Sequence, residues 1–161
     1  MTVAEYNLSV NEYADRLYRF VLKNIRQESI AQDIVQDTYE KLWIKHENVS
    51  FAKVRSYLFT AAYHTLIDHT RKVKNEVMLD EISTMESFET PEKFDLKKNL
   101  EDAFEKLPEI QRSVILLRDY EGYGYEEIGE ITGLSESQVK VYIYRGRLAL
   151  RKLIGSPEVL I

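Results

Sequence analysis

Cysteine is absent from the 161 residues, which excludes disulfides and cysteine-ligated zinc and suits a reducing compartment. No apolar run approaches the roughly 20 residues needed to cross a bilayer, so membrane insertion is not expected. The opening Met-Thr-Val-Ala-Glu-Tyr lacks both a basic stretch and a hydrophobic one. No secretory signal is read there, and the expected compartment is the cytoplasm. Nor is there a glycine-rich phosphate loop, a nucleophile constellation or a reasoned pair of catalytic carboxylates. The chain is expected to be neither an enzyme nor a cofactor carrier. His64 and Asp68 lie one helical turn apart, but no third ligand accompanies them, so no metal is expected either. Basic charge is in deficit too. Lys plus Arg number 22 against 27 Asp plus Glu, a formal net charge of −5.

What is present is a folded composition, 44% apolar and 30% charged, arranged almost throughout at helical spacing. Val10 to Ile25 places Tyr13, Leu17, Phe20 and Val21 on one face. Ser29, with Gln32 at capping-box spacing, predicts the start of a second helix along Ile30, Ile34, Val35, Thr38, Leu42 and Trp43. A third stretch, Val54 to Lys72, is rich in aromatics. Ala61 and Ala62 within it predict either a close helix contact or a break. From Val73 to Glu89 the periodicity fades and acids dominate, which reads as a linker. Thr90-Pro91-Glu92 predicts a new helix carrying Phe94, Leu100, Ala103, Phe104 and Leu107. Pro108 ends it and is expected in the first turn of the next helix, which runs to about Tyr120. The fold class is therefore all-α: two small helical domains, 1–75 and 91–161, joined by an acidic flexible linker at 76–90.

The most informative segment is Tyr125 to Arg147. Gly133 can close one helix in the left-handed conformation, and Ser135 with Gln138 can cap the next as a capping box. Ile128, Ile131, Leu134, Val139 and Ile143 form one apolar wedge across the turn, and Gly129 allows the two backbones to approach. This is a helix-turn-helix, whose second helix enters the major groove with its first turns at the base edges. Beyond the turn come Lys140, Arg145, Arg147, Arg151 and Lys152, with no acid between Val139 and Leu153. A plain helical hairpin needs the glycine and the wedge but not this segregation of charge. DNA binding is the reading favoured by motif and charge together. An acidic chain that grips DNA through so few cations requires either a dimer or a larger partner supplying affinity. Three readings stay open on these residues: a partner-dependent DNA reader, a dimeric regulator, and a sequestering interaction module.

Four stretches, in order, resemble the bacterial sigma factors of the extracytoplasmic-function (ECF) group of the sigma-70 superfamily. Ala31-Gln-Asp-Ile-Val-Gln-Asp-Thr-Tyr-Glu-Lys-Leu-Trp43 is similar to region 2.2, which docks on RNA polymerase. Val54 to Lys72 is similar to regions 2.3 and 2.4, which melt and read the minus-ten element. Leu107 to Arg118 resembles the opening of region 4, and the helix-turn-helix resembles region 4.2, which reads the minus-thirty-five element. The resemblance covers nearly the whole chain apart from the linker and the last residues. It implies core polymerase (clamp and flap), double- and single-stranded promoter DNA, and an anti-sigma factor as the classes of partner. It also implies that the acidic linker threads polymerase channels that otherwise hold nucleic acid.

The residues it assigns follow by position. Asp33, Asp37, Glu40, Lys41, Leu42 and Trp43 are expected at the polymerase; alone, such a charge run reads as a solvated face. Arg55, Tyr63, His64, Arg71 and Lys72 are expected at the minus-ten strand, where aromatics beside cations suit stacking on unpaired bases. Leu58, Ala62, Leu66 and Tyr57 read as core. Ser137, Gln138, Lys140, Val141, Tyr144, Arg145, Arg147 and Arg151 are expected at the minus-thirty-five duplex. The chain departs from the family at two places. Tyr63-His64 stands where Arg-Asn is common, and Gly129 stands where alanine is, a change of small residue expected to leave packing intact.

Overall fold

The computed structural model describes residues 1–80 and 96–155, with side chains at 1–76 and 98–155. Among the described residues all regular structure is helical: α1 Val3–Ile25, α2 Glu28–Lys45, α3 Val54–Asp80, α4 Leu96–Lys106, α5 Glu109–Ile115, α6 Tyr125–Thr132 and α7 Glu136–Ile154. The predicted helix start at Thr90-Pro91 and the apolar Phe94 lie outside the described residues, as does residues 81–89 of the predicted linker. Its first residues, 76–80, are still helical, because α3 runs on to Asp80 without a break.

Helix α1 begins seven residues before the predicted Val10. Thr2 Oγ1 accepts from the Glu5 N–H at 3.1 Å and Glu5 Oε1 accepts from the Thr2 N–H at 2.9 Å, a complete capping box. It ends at Arg26, whose φ of 58° turns the chain and whose N–H donates to the Leu22 carbonyl. Helix α2 therefore starts at Glu28 behind Gln27, with no side-chain cap, and Ser29 lies inside the helix rather than capping it. The corner is fixed from outside. The Arg26 guanidinium reaches Glu105 at 2.7 Å, Asp102 at 3.5 Å and Glu101 at 3.8 Å, all on α4.

In the first domain α1, α2 and α3 pack around Leu17, Phe20, Val21, Ile34, Leu42, Leu58, Phe59, Ala62 and Leu66. Ala62 is fully buried, where the sequence allowed either a close contact or a break. In the second domain α4 to α7 enclose Phe104, Val114, Ile115, Leu117, Ile128, Ile131, Val139, Ile143 and Leu150. Pro108 sits just before α5 as its N-cap rather than inside its first turn. Past Ile115 the helix widens through Leu116–Tyr120, with the Glu121 N–H on the Leu116 carbonyl and the Tyr123 N–H on that of Leu117.

The two domains close on each other, α3 against α6 and α1 against α4 and α5. Tyr123, 1% exposed, projects from the second domain to meet Phe59 at 5.6 Å between ring centres. Glu121 beside it accepts from Arg16 at 3.0 Å, and its backbone carbonyl accepts from Arg55. Farther along, buried Asn24 accepts from Arg112 and Ser113, each at 3.2 Å, and donates to the Phe20 carbonyl.

Candidate nucleic-acid interface

The helix-turn-helix is built as its residue types dictate. Gly133 takes φ 79° and donates its N–H to the Gly129 carbonyl, ending α6. Ser135 Oγ accepts from the Gln138 N–H, and Gln138 Oε1 accepts from the Ser135 N–H, starting α7. At Gly129 a Cβ would lie 2.7 Å from the Leu134 carbonyl oxygen. The crossing is thus closer than an alanine fits, which corrects the expectation that either small residue would serve. Gly146 serves a second approach, α7 on α5, where a Cβ would meet Ile115 Cδ1 at 2.4 Å.

With Val139, Ile143, Gly146 and Leu150 facing inward, α7 turns Ser137, Gln138, Lys140, Val141, Tyr144, Arg145 and Arg151 outward. Tyr144 is 68% exposed. Lys140 pairs with Glu136 at 3.4 Å and stands over the Tyr125 ring. Arg147 is different: half-buried, it donates to Asp119 at 2.6 Å, and that bond raises its already high pKa. It faces the turn after α5 more than the open side of α7.

The acidic face of α2 is open as well. Asp33 and Glu40 are exposed, and Lys41 pairs with Asp37 at 3.0 Å and donates to Thr65. Trp43, 45% exposed, stacks on His46 at 4.5 Å and meets the edge of Tyr6 at 5.1 Å, a rigid aromatic platform. Leu42 is 0% exposed and belongs to the core, so it has no surface to offer a partner. It lies on the inward face of α2, between the outward Lys41 and Trp43.

The stretch on α3 divides more sharply. His64, Arg71 and Lys72 are exposed, with His64 and Arg71 two turns apart on one stripe. Tyr63 is 6% exposed in the core, its phenol pushed up to about 12 by burial and then by Glu109. It is not available to a base. Arg55 is covered by the second domain, its guanidinium 4.1 Å from the centre of the Tyr123 ring and bonded to the Glu121 carbonyl. Phe59 is core. Three hydroxyl residues were missed: Ser50, Ser56 and Thr60 line a cleft of about 910 Å³ with Lys53, Tyr57 and, from α6, Glu130. Small neutral side chains carry neither charge nor periodicity, so only the fold brings them together.

Comparison with known proteins matches this geometry region by region. A family model for Sigma-70 region 2 covers residues 10–76 and one for Sigma-70, region 4 covers 97–150. The RNA polymerase sigma factor YlaC of Bacillus subtilis (strain 168) is 30% identical over 152 residues, 88% of this chain and 87% of that protein. The ECF RNA polymerase sigma factor SigM of the same organism is 28% identical over 159 residues, 95% of each. A chain in the co-crystal structure of sigma factor RpoE with the anti-sigma factor NepR from Bartonella quintana has the same fold. It matches with a TM-score of 0.81 at 24% identity, over 96% of this chain and 99% of that one. The structure of CnrH with the cytosolic domain of CnrY also matches, at 0.68 and 20% identity over 94% and 88%. The chain belongs to the ECF group of the sigma-70 family of RNA polymerase sigma factors. It is a DNA-binding transcription initiation factor that associates with RNA polymerase.

Proposed function

We propose a division of labour in which each exposed face serves one partner. The α2 face of Asp33, Asp37, Glu40 and Lys41, with Trp43 as its aromatic anchor, docks on basic residues of core polymerase. The outward face of α7 reads the minus-thirty-five duplex: Ser137, Gln138, Lys140, Val141, Tyr144 and Arg145 at the base edges, Arg151 at phosphate. Arg147 contributes charge at the edge of that face. His64, Arg71 and Lys72 attend the minus-ten strand, with His64 offering ring nitrogens where an amide is common in the family. The protein acts in the cytoplasm and has no catalytic chemistry of its own. An anti-sigma factor is a further partner, as NepR and CnrY are for the proteins named with them.

The observation that carries this reading is the contrast between one cationic, outward helix face and a net charge of −5. Affinity for duplex DNA follows the number of phosphates neutralised, and one such face supplies too few for an acidic monomer to bind tightly alone. Gel shifts of promoter DNA with and without core polymerase test it. Weak binding by the free protein and tight, sequence-dependent binding with polymerase are expected. Equally tight palindrome-dependent binding by the free protein would mean a dimeric regulator instead.

A further inference from the structure

Among the described residues, three buried side-chain polar atoms lack a hydrogen-bond partner, and all three lie on the seam between the domains. Arg55 Nε and Tyr123 OH flank the same contact. Glu109 Oε1 adjoins a cleft walled by Tyr63, Thr70, Arg71 and Lys74 of α3. Within the first domain buried polar groups are paired: Thr38 donates to the Ile34 carbonyl, Ser9 to that of Tyr6, Tyr39 to that of Ser9. Buried orphans are rare because each forfeits its bond to water without return. Their confinement to one surface marks the surface built to come apart.

The seam also covers selectively. The α2 face and the outward face of α7 are open to solvent while the domains are closed. Arg55 is hidden, and the cleft of Lys53, Ser56, Tyr57 and Thr60 is walled by Glu130 from the second domain. An acidic wall excludes phosphate. What closure withholds is therefore the strand-binding side of α3, not the docking or duplex-reading faces.

We propose that the turn Asp119–Gly124 is an internal inhibitor that occupies Arg55, and that the domains must part before the protein captures unpaired promoter DNA. Glu121 is the clasp, since its carboxylate holds Arg16 while its carbonyl holds Arg55. Its side chain is only 8% exposed, so the pair is little screened. Tyr123 is the plug. The proposal rests on the sigma-factor reading and adds a gate to its melting step.

A chain without cysteine allows a clean staple. Asn24 Oδ1 and Ser113 Oγ are 3.2 Å apart on short side chains, within reach of a bridge between β-carbons. The variant Asn24→Cys with Ser113→Cys is oxidised, mixed with core polymerase, and assayed by pull-down and by permanganate reactivity of promoter thymines. We expect the bridge to form, polymerase association to persist, and opening to slow by more than about tenfold until reductant is added. Equal opening rates in the oxidised and reduced protein would overturn the gate. So would failure of the bridge to form, or loss of polymerase association on oxidation. Two single variants test the direction without a staple: Glu121→Lys should open promoters about fivefold faster by repelling Arg16, whereas Tyr123→Phe should slow opening by removing an orphan. Unchanged rates in both would also overturn it. If the unmodified protein opens no promoter with polymerase, the sigma-factor reading fails, while bridge formation still reports on closure.

Discussion

The two domains make their working surfaces in different ways. In the second, core and function use different residue types: Val139, Ile143 and Leu150 point inward while Lys140, Arg145 and Arg151 point outward. In the first, aromatics are wanted both by the core and by unpaired bases. Helix α3 gives Phe59 and Tyr63 to the core and leaves the strand His64, Arg71 and Lys72. Where a site needs what the core lacks, charge marks it; where both need rings, spacing alone does not decide between them.

The comparison breaks most visibly at α2. Asp33→Lys with Asp37→Lys adds no buried charge, so circular dichroism should be unchanged. Across a charged interface the same change costs several kcal/mol, and pull-down of core polymerase should be lost. Retained pull-down would leave that face merely solvated. In the second domain Gly129→Ala should lower stability by about 1–3 kcal/mol, because the opposing atom is a backbone carbonyl that cannot swing aside. A melting curve checks it, and an unchanged midpoint would mean that the crossing yields.

Reading and gripping should separate along α7. Lys140→Ala is expected to cost about 1–3 kcal/mol on the best promoter and to alter preference at one or two minus-thirty-five positions. Arg151→Ala should weaken all promoters alike and flatten the salt dependence. A promoter library assayed at two ionic strengths distinguishes them. The smallest effect belongs to the first domain's core. The Tyr63 phenol is raised from 10.0 to about 12 chiefly by burial, so the folded state keeps a proton that the unfolded chain gives up. Its contribution to stability is whole below about pH 10 and is lost as pH climbs toward 12. Denaturation midpoints of Tyr63→Phe should accordingly fall less steeply over that window than those of the parent.

Much of this was legible beforehand, and the exceptions have causes. Local signals held wherever the chain's own chemistry decides: Gly133 and the Ser135–Gln138 box stand where their spacing put them. Thr2 and Glu5 carried the same signal for α1 and were passed over. Ser29 failed as a cap for a tertiary reason, since Arg26 is held to three acids on α4 and forces the turn early. Arg55 illustrates the same limit at the site. Its neighbours in sequence identify a cation beside aromatics, but the ring it lies on is Tyr123, 68 residues away in another domain.

The account's central claim is that one acidic chain lends polymerase two readouts, duplex through α7 and strand through α3. In vitro transcription with core polymerase on a library randomised at both promoter elements tests it most directly. We predict initiation from a narrow promoter set, with Lys140→Ala shifting only minus-thirty-five preference and His64→Asn only minus-ten preference. Initiation that is independent of sequence, or a His64→Asn profile altered at minus-thirty-five instead, would contradict the claim.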